Sequence, residues 1–569
     1  MKNQELATIF YEMADLLEIL QVQWKPNAFR KAARTIETLS KPIEEIYAKG
    51  GIKALKELSG VGDAIANKTE EFLKTGKVKE LHELEKQIPE GIDEMMHIPG
   101  LGPKRAVILN KELHIKNLRD LQRAASTGRI RKLPGFGEKS EQEILKGLEM
   151  HAQGQERKSL LIGLEIAREL QARLKRLHGV DCVEVAGSVR RRKETIADID
   201  ILVTSKHPAA VMNFFTTMPD VTRVLAKGPT KSAVIIGKGL QADVRVLEPE
   251  AFGAALQYFT GSKEHNVRVR QIAIDKGLKL NEYGLFTRTG KYVAGKTEED
   301  IYKKLGLLYP EPELRENTGE IEAKKLPTLI SYDAIKGDCH MHTRWSDGAN
   351  TTEEMVQAAI ALKYEYVAIT DHSKSSIIAN GLDEKRLLKH CEEIEKLQKK
   401  YPNITILKGS EVDIKKDGSL DYKPSILKQL DIVMASAHQR FTPDRAAATQ
   451  RYLKAIASGN ITAISHPTGR LINAREPIDF DFEKVAQACA NAGVFLEINS
   501  TPSRLDLKDT HIKTAKELKA QFIINTDSHS VEHLRFMELG IAQARRGWLE
   551  MKGVVNTLPV KKFLTAIKR

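Results

Sequence analysis

From residue 335 onward, short strands alternate with helix-length segments, and nearly every strand closes on a histidine or an acid. EYVAIT, ITILKGSEVDI, DIVMASAH, ITAISHP, VFLEINS and FIINTDSH are the stretches concerned, rich in Val and Ile as strands are. Strand–helix alternation on this scale predicts an α/β barrel, whose functional groups lie at the carboxyl ends of its strands. Those ends hold Asp371 and His372, Glu411, His438, His466, and Asp527 with His529; VFLEINS, with Glu497 and Asn499, is the exception. Upstream, KGDCHMHTRWSDG adds His340, His342 and Asp347. Side chains at i and i+2 of a strand share a face, so both imidazoles can aim at one point. Nitrogen and oxygen donors without sulfur suit Mn²⁺, Zn²⁺ or Fe, with groups enough for two or three ions. Clustered ions of that kind suit phosphoester hydrolysis.

These motifs resemble those of the polymerase and histidinol phosphatase (PHP) family over roughly 335–569. The resemblance implies a distorted, TIM-like barrel with nine metal ligands. Residue by residue they fall on His340, His342, Asp347, His372, Glu411, His438, His466, Asp527 and His529. Every position holds an acceptable ligand, which implies an intact site.

Between residues 155 and 318 the chain turns strand-rich, with VEVAGSVRRRK, DIDILVT, SAVIIG and ADVRVLEP. Asp198 and Asp200 alternate along one strand and Asp243 sits on another. Three carboxylates from neighbouring strands can hold two Mg²⁺ ions against a triphosphate. The preceding Gly187–Ser188 turn, with Arg190 and Arg191, offers N–H groups, a hydroxyl and guanidinium groups to a phosphate tail. QYFTGSKEHNVRVRQIAIDKG reads as a loop entering a helix, and the polar YPEPELRENTGEIEAKKLP as a linker.

Gly187 through Asp200, then Asp243, then YFTGS at Tyr258–Ser262 resemble the signature of the family X DNA polymerases, the group of DNA polymerase beta. The resemblance implies that Asp198 and Asp200 bind two Mg²⁺ or Mn²⁺ ions and that Asp243 activates the primer 3′-hydroxyl. It places Gly187, Ser188, Arg191 and Gly261 around the nucleotide, with Tyr258 and Phe259 flanking the sugar and Tyr258 disfavouring ribonucleotides. Asn266 and Arg270 would touch the minor-groove edges of the nascent pair and template. The chain departs from the family in one place: Gln241 stands where a basic residue precedes the third aspartate, which predicts weaker activation of the nucleophile.

Residues 1 to about 150 read as short helices. LSGVGDAIANK, IPGLGPKRA and LPGFGEKS repeat one pattern, an apolar residue, a turn residue, then G-x-G opening a helix. The glycines are Gly60 and Gly62, Gly100 and Gly102, Gly135 and Gly137. Amides beside a helix N-terminus suit anions. In a chain of net charge +13, three such turns favour sequence-independent contact with the DNA backbone. They resemble helix-hairpin-helix motifs, the first two matching those that family X polymerases place on the downstream and primer strands of a gap. In the family's lyase domain a lysine at the position of Lys68 forms a Schiff base with a 5′-deoxyribose phosphate. Lys25 and Lys31 are candidates to hold that phosphate.

A chain of 569 residues exceeds one core. The expected order is a lyase-like helical domain over 1–82, helix-hairpin-helix fingers over 83–153, and a nucleotidyltransferase palm over 154–248. A thumb over 249–318, a linker over 319–334 and the PHP barrel over 335–569 follow. Four scattered cysteines, Cys182, Cys339, Cys391 and Cys489, predict buried thiols in a reducing compartment. The acid-bearing start is no signal peptide, and no apolar run spans a bilayer. The expectation is a cytoplasmic, nucleoid-associated monomer that takes gapped or primed DNA and deoxynucleoside triphosphates. It fills gaps in base excision repair and carries 3′–5′ exonuclease, abasic-site endonuclease and lyase activities. Two rivals are a repair nuclease with a non-catalytic polymerase-like module, and a histidinol-type phosphatase with a DNA-binding appendage.

Overall fold

The computed structural model describes residues 2–568 except 21, 23, 38–42, 59, 86–91, 97, 99–100, 102, 238 and 439–443. The first helices, Lys2–Ile19 and Lys25–Glu37, pack through Phe10 and Phe29, rings 5.5 Å apart edge to face. The three repeats share one hydrogen bond. The carbonyls of Leu58, Ile98 and Leu133 each accept from the amide three residues on, Val61, Leu101 and Phe136, at 3.1, 3.0 and 3.0 Å. A helix follows each turn: Asp63–Thr75, Pro103–Leu113 and Glu138–Glu156.

The palm is a mixed sheet of β1 (Val180–Val185), β2 (Asp198–Ser205), β3 (Val221–Lys227), β4 (Lys231–Ile236) and β5 (Leu240–Leu247), in the order β1-β2-β5-β4-β3. β2 and β5 are parallel, and register sets Asp200 beside Asp243 and Asp198 beside Gln241. β3 escaped the sequence reading because it is an edge strand, exposed along nearly its whole length. An edge with no buried face carries no apolar alternation to read. The stretch expected as a loop entering a helix is instead two helices, Phe252–Thr260 and Lys263–Asp275, with Gly261 (φ 70°) and Ser262 turning between them. The first packs close against the chain ahead of Glu298. A Cβ on Gly253 would stand 2.4 Å from the Thr297 backbone. Beyond these helices, β6 (Leu278–Asn281), β7 (Gly284–Thr287) and β8 (Tyr292–Ala294) form a small antiparallel sheet.

The segment 319–334, polar in sequence, is packed rather than free. Glu320 takes His265 Nδ1 at 2.7 Å and the Asn317 and Thr318 amides at 2.8 and 2.7 Å. Ile321 and Ile330 are buried.

Seven parallel strands then run in sequence order: β9 (Gly337–Asp338), β10 (Tyr366–Ile369), β11 (Thr405–Asp413), β12 (Ile432–Ser436), β13 (Ala463–Ile464), β14 (Phe495–Asn499) and β15 (Phe522–Asn525). A parallel bridge between Met341 and Ser528 brings first and last together, nearly closing a barrel. The two histidines lie past the end of β9 rather than within it. Bonds from His342 N to Ser528 O (2.7 Å) and from Thr370 N to Met341 O (2.9 Å) keep this stretch extended between its neighbours. Leu505, Phe536 and Leu539 of the barrel segment enter the palm's core. Arg470 on Glu194 (2.7 Å) and Arg535 on Glu165 (2.9 Å) tie the two domains further. All four cysteines are free, three buried and Cys182 half-buried on a strand that faces solvent in part. Among the described residues no helix is long and apolar enough to cross a membrane.

Candidate active sites

The barrel's nine predicted donors converge at the strand ends. His342, Asp347, His372 and His529 form one group, His340, His342 and Asp527 a second, and His372, Glu411 and His438 a third, each with donor atoms within 4.8 Å of one another. His466 lies outside these groups, but its Nε2 stands 2.8 Å from Glu411 Oε1. His340 and His342 place Nε2 at 3.6 and 3.2 Å from Asp527 Oδ1. Buried yet without a hydrogen-bond partner are His340 Nε2, both ring nitrogens of His342, His372 Nδ1 and Glu411 Oε2. His372 Nδ1 and Glu411 Oε2 are only 2.9 Å apart but are not aligned as a hydrogen bond. Buried polar atoms left in this way are costly. Divalent cations would satisfy them together, so these residues fit a metal cluster.

Further carboxylates aim the ligands. Glu497 Oε1 takes His340 Nδ1 at 2.7 Å, and its Oε2 accepts from the His466 amide at 2.7 Å. Asn499 Nδ2 donates to Asp527 Oδ2 at 3.1 Å. The strand that broke the sequence pattern thus orients the candidate ligands His340, His466 and Asp527. The signal was there: two polar residues in an otherwise apolar, buried strand must be paired with something. Asp413 holds His438 Nδ1 at 3.1 Å. Asp371, beside the ligand His372, instead ties down the loop between His342 and Asp347, accepting from Thr343 N (2.8 Å) and Oγ1 (2.7 Å).

Charge is balanced inside this cluster. Burial would favour neutral acids, but His438, His340 and His372 hold Glu411 well below the usual carboxylate range. Burial, with His372 and His529 nearby, lowers His342 to about 4, leaving a neutral ring suited to coordination. Burial also opposes charge on His438 and His529, but neighbouring acids outweigh it. Glu411 and Asp413 lift His438 to about 10, and Asp347 and Asp527 lift His529 to about 9.

The palm carries a second centre. A cleft of about 400 Å³ is lined by Asp198 and Asp200 together with Gly187, Ser188, Arg191, Tyr258, Phe259, Gly261, Asn266 and Arg270. Burial and the charges of Asp198 and Asp243 push Asp200 up to about 7, and burial with Asp243 raises Asp198. Clustered acids with that upward shift fit a divalent cation. Gly187 (φ 65°) brings its backbone against Asp200; a Cβ there would lie 2.7 Å from Asp200 Oδ2. Ser188 Oγ is buried without a partner. Gln241 Nε2 donates to Asp243 Oδ1 at 2.8 Å, so this departure from the family still orients the third aspartate.

The two arginines after Ser188 differ. Arg190, expected at the phosphate tail, instead clamps Glu298 through two bonds of 2.9 and 2.7 Å. Arg191 keeps to the cleft, its Nε on Glu316 at 3.0 Å. Asn266 is buried, donating to Tyr258 O at 2.6 Å and accepting from Gln257 Nε2 at 2.7 Å. Arg157, Lys193 and Lys263 also line the cleft; Lys193 and Lys263 stand in or beside the two motifs but were not singled out, and Arg157 lies outside both.

In the helical region, Gly60 has φ 77° and would bring a Cβ 2.7 Å from Lys31 Cγ, so the Lys31 stem lies across the first turn. Gly62 caps the helix Asp63–Thr75. Gly135 (φ 81°) and Gly137 form the third turn, facing open space. Gly100 and Gly102 lie outside the described residues. Lys25 is exposed beside Trp24. Lys68 is half-buried, its Nζ 2.6 Å from Glu80 Oε2 and 6.0 Å from the Phe29 ring centre.

Family models place these regions. A helix-hairpin-helix domain matches 1–78, a SAM-like helix-hairpin-helix tandem 92–150, the DNA polymerase beta thumb 255–316, and the PHP domain 338–501. The chain is 37% identical over 550 residues to the DNA polymerase/3'-5' exonuclease PolX of Bacillus subtilis (strain 168), an alignment covering 96% of this chain and 95% of that protein. A probable phosphatase of Shewanella sp. (strain ANA-3) is 34% identical over 202 residues, 34% of this chain and 75% of its own length.

Proposed function

Because the chain belongs to the family X DNA polymerases that carry a PHP domain, we propose that its two centres act on one DNA end, the palm extending it and the barrel trimming it. The protein is a DNA-directed DNA polymerase with 3′–5′ exonuclease activity. Divalent ions bound at either centre would supply positive charge to phosphate oxygens and, in the barrel, an acidified water.

In the palm, Asp198 and Asp200 hold Mg²⁺ or Mn²⁺, and Asp243, oriented by Gln241, takes the proton of the primer 3′-hydroxyl. Ser188 and Arg191 receive the triphosphate. Tyr258 and Phe259 flank the sugar, while Asn266 sets the turn that carries them and Arg270 reaches the pair. In the barrel the nine donors hold two or three ions of Mn²⁺, Zn²⁺ or Fe. The helical turns grip the DNA backbone, and Lys68 opens a 5′-deoxyribose-phosphate end once released from Glu80. The setting is short-gap filling in base excision repair by a cytoplasmic, nucleoid-associated monomer, with abasic-site cleavage a further role of the barrel.

One observation carries this reading: two acid-rich centres, one lined by phosphate-compatible donors and one by histidines, stand on separate sheets of one chain. A labelled gapped duplex with Mg²⁺ or Mn²⁺ tests it. Asp198→Ala with Asp200→Ala should abolish nucleotide addition and spare 3′ degradation. His340→Ala with His342→Ala should do the reverse. Gap filling that survives the aspartate pair, or degradation at full rate in the histidine pair, would place the ions elsewhere.

A further inference from the structure

The three most exposed large apolar side chains among the described residues are Ile378 (90%), Trp24 (85%) and Ile377 (81%), ahead of Tyr283 at 60%. Ile377 and Ile378 are adjacent, on a single 3₁₀ turn, Ile377–Ala379, that follows the ligand His372 at the carboxyl end of β10. The turn is not loose. Ser376 Oγ donates to Asp413 Oδ2 at 2.8 Å, and Asp413 Oδ1 holds the ligand His438 at 3.1 Å. Asn380 Nδ2 donates to Trp345 O at 3.2 Å, two residues from the ligand Asp347. Arg386 Nη1 donates to Asn380 O at 2.9 Å. A Cβ on Gly381 would fall 1.9 Å from Ser373 O, so the turn closes tightly on its own stem.

Two isoleucines are therefore displayed to water on a rigid turn fixed from both sides to the ligand loops. Ordered apolar surface of this kind is a liability unless something covers it. The tip, SSIIAN, carries no charge, so it offers phosphate no ion pair, and the side chains it displays are apolar. It answers the other part of a nucleotide, the apolar face of a base, which protein side chains commonly meet in this way.

We propose that Ile377 and Ile378 form the seat for the unpaired 3′-terminal base of the DNA strand whose last phosphodiester enters the barrel. This rests on the exonuclease reading above and adds the side chains that hold the terminal base. Both side chains are substrate-binding groups, and neither touches a donor of the ion cluster.

The test pairs Ile377→Ser/Ile378→Ser in the full-length chain with two Mn²⁺-supplied substrates, a single strand ending in an ordinary nucleotide and one ending in an abasic residue. On the ordinary end the variant should lose roughly tenfold in kcat/KM, the scale of one base contact. On the abasic end parent and variant should be equal, since there is no base to seat. Bound metal and gap filling should match the parent, excluding a folding defect. Equal rates on the ordinary end overturn the proposal, and so does an equal loss on both ends, which marks a structural role. A parent that shortens neither end overturns the exonuclease reading, and this proposal with it.

Discussion

Gly187→Ala tests the palm centre at a single carbon. At φ 65° the added methyl would stand 2.7 Å from Asp200 Oδ2, where ordinary contact begins at 3.4 Å. The carboxylate must retreat by about 0.7 Å or the turn must open, and the left-handed backbone adds about 1–2 kcal/mol of strain for any residue with a Cβ. A misplacement approaching 1 Å in a catalytic group costs on the order of 10²-fold in rate, so nucleotide incorporation should fall by about that factor. Gly290→Ala is the matched control. It has φ 87°, and its Cβ would meet nothing within 4 Å, in a thumb turn outside both centres. It should share the backbone strain and the loss of thermal stability while keeping incorporation near the parent. Single-turnover extension of a gapped duplex, with 3′ degradation measured in parallel, reads both variants. Degradation should be unchanged in each. Incorporation by Gly187→Ala within threefold of the parent, or an equal loss in Gly290→Ala, would refute the steric argument.

The barrel ions should compete with protons. His438 and His529 sit at about 10 and about 9, so below pH 9 both rings carry a proton that an ion must displace. His340 is raised as well, so apparent metal affinity should climb with pH by roughly a hundredfold per unit or more between pH 6 and 8, with at least two protons released in calorimetry across buffers; a flat profile would mean the ions avoid these rings. Glu298, buried between Arg315 and Arg190, is drawn down to about 2 although burial alone would raise it. Its contribution to stability is therefore full above the ordinary glutamate range and lost as pH falls toward 2. Glu298→Ala should cost about 3–5 kcal/mol at pH 7 by leaving the buried Arg315 and the half-buried Arg190 uncompensated; an unchanged melting temperature would contradict this. Lys68→Ala should lose the borohydride-trapped adduct with a 5′-deoxyribose-phosphate end, and Glu80→Gln, which releases the amine, should keep it. Trapping undiminished in Lys68→Ala would assign the chemistry to another amine.

The barrel was legible because parallel strands and their ligands are local in sequence. Each donor sits at or just past a strand end, so reading the ends in order recovers a site assembled across nearly two hundred residues. What stayed hidden was pairing between strands. Nothing in VFLEINS says that Glu497 reaches His340 at the other end of the chain order, and, the family resemblance aside, nothing in SVRRR separates Arg190, which faces Glu298 in the thumb, from Arg191, which faces the cleft. Adjacent arginines diverge because they stand on a one-turn helix, Gly187–Arg190, and its cap, where neighbours point different ways. Such choices are made by tertiary contact. β3 was missed for the complementary reason, since an exposed edge leaves no buried face to imprint a pattern.

The two centres solve the same electrostatic problem in opposite ways. In the barrel, burial alone would neutralise Asp347, Glu411 and Asp527, yet surrounding imidazoles keep all three ionised. The acids are therefore charged in advance, each beside the imidazoles that share its group. In the palm, no histidine among the described residues lines the cleft of Asp198 and Asp200, and Asp200 is driven to about 7 by burial and its acidic neighbours. At neutral pH that centre is only partly charged until positive charge arrives, and a nucleotide brings Mg²⁺ on its phosphates. The barrel's acids are thus charged by their histidine neighbours before any ion is bound, whereas Asp200 in the palm gains its full charge only when positive charge is brought to it.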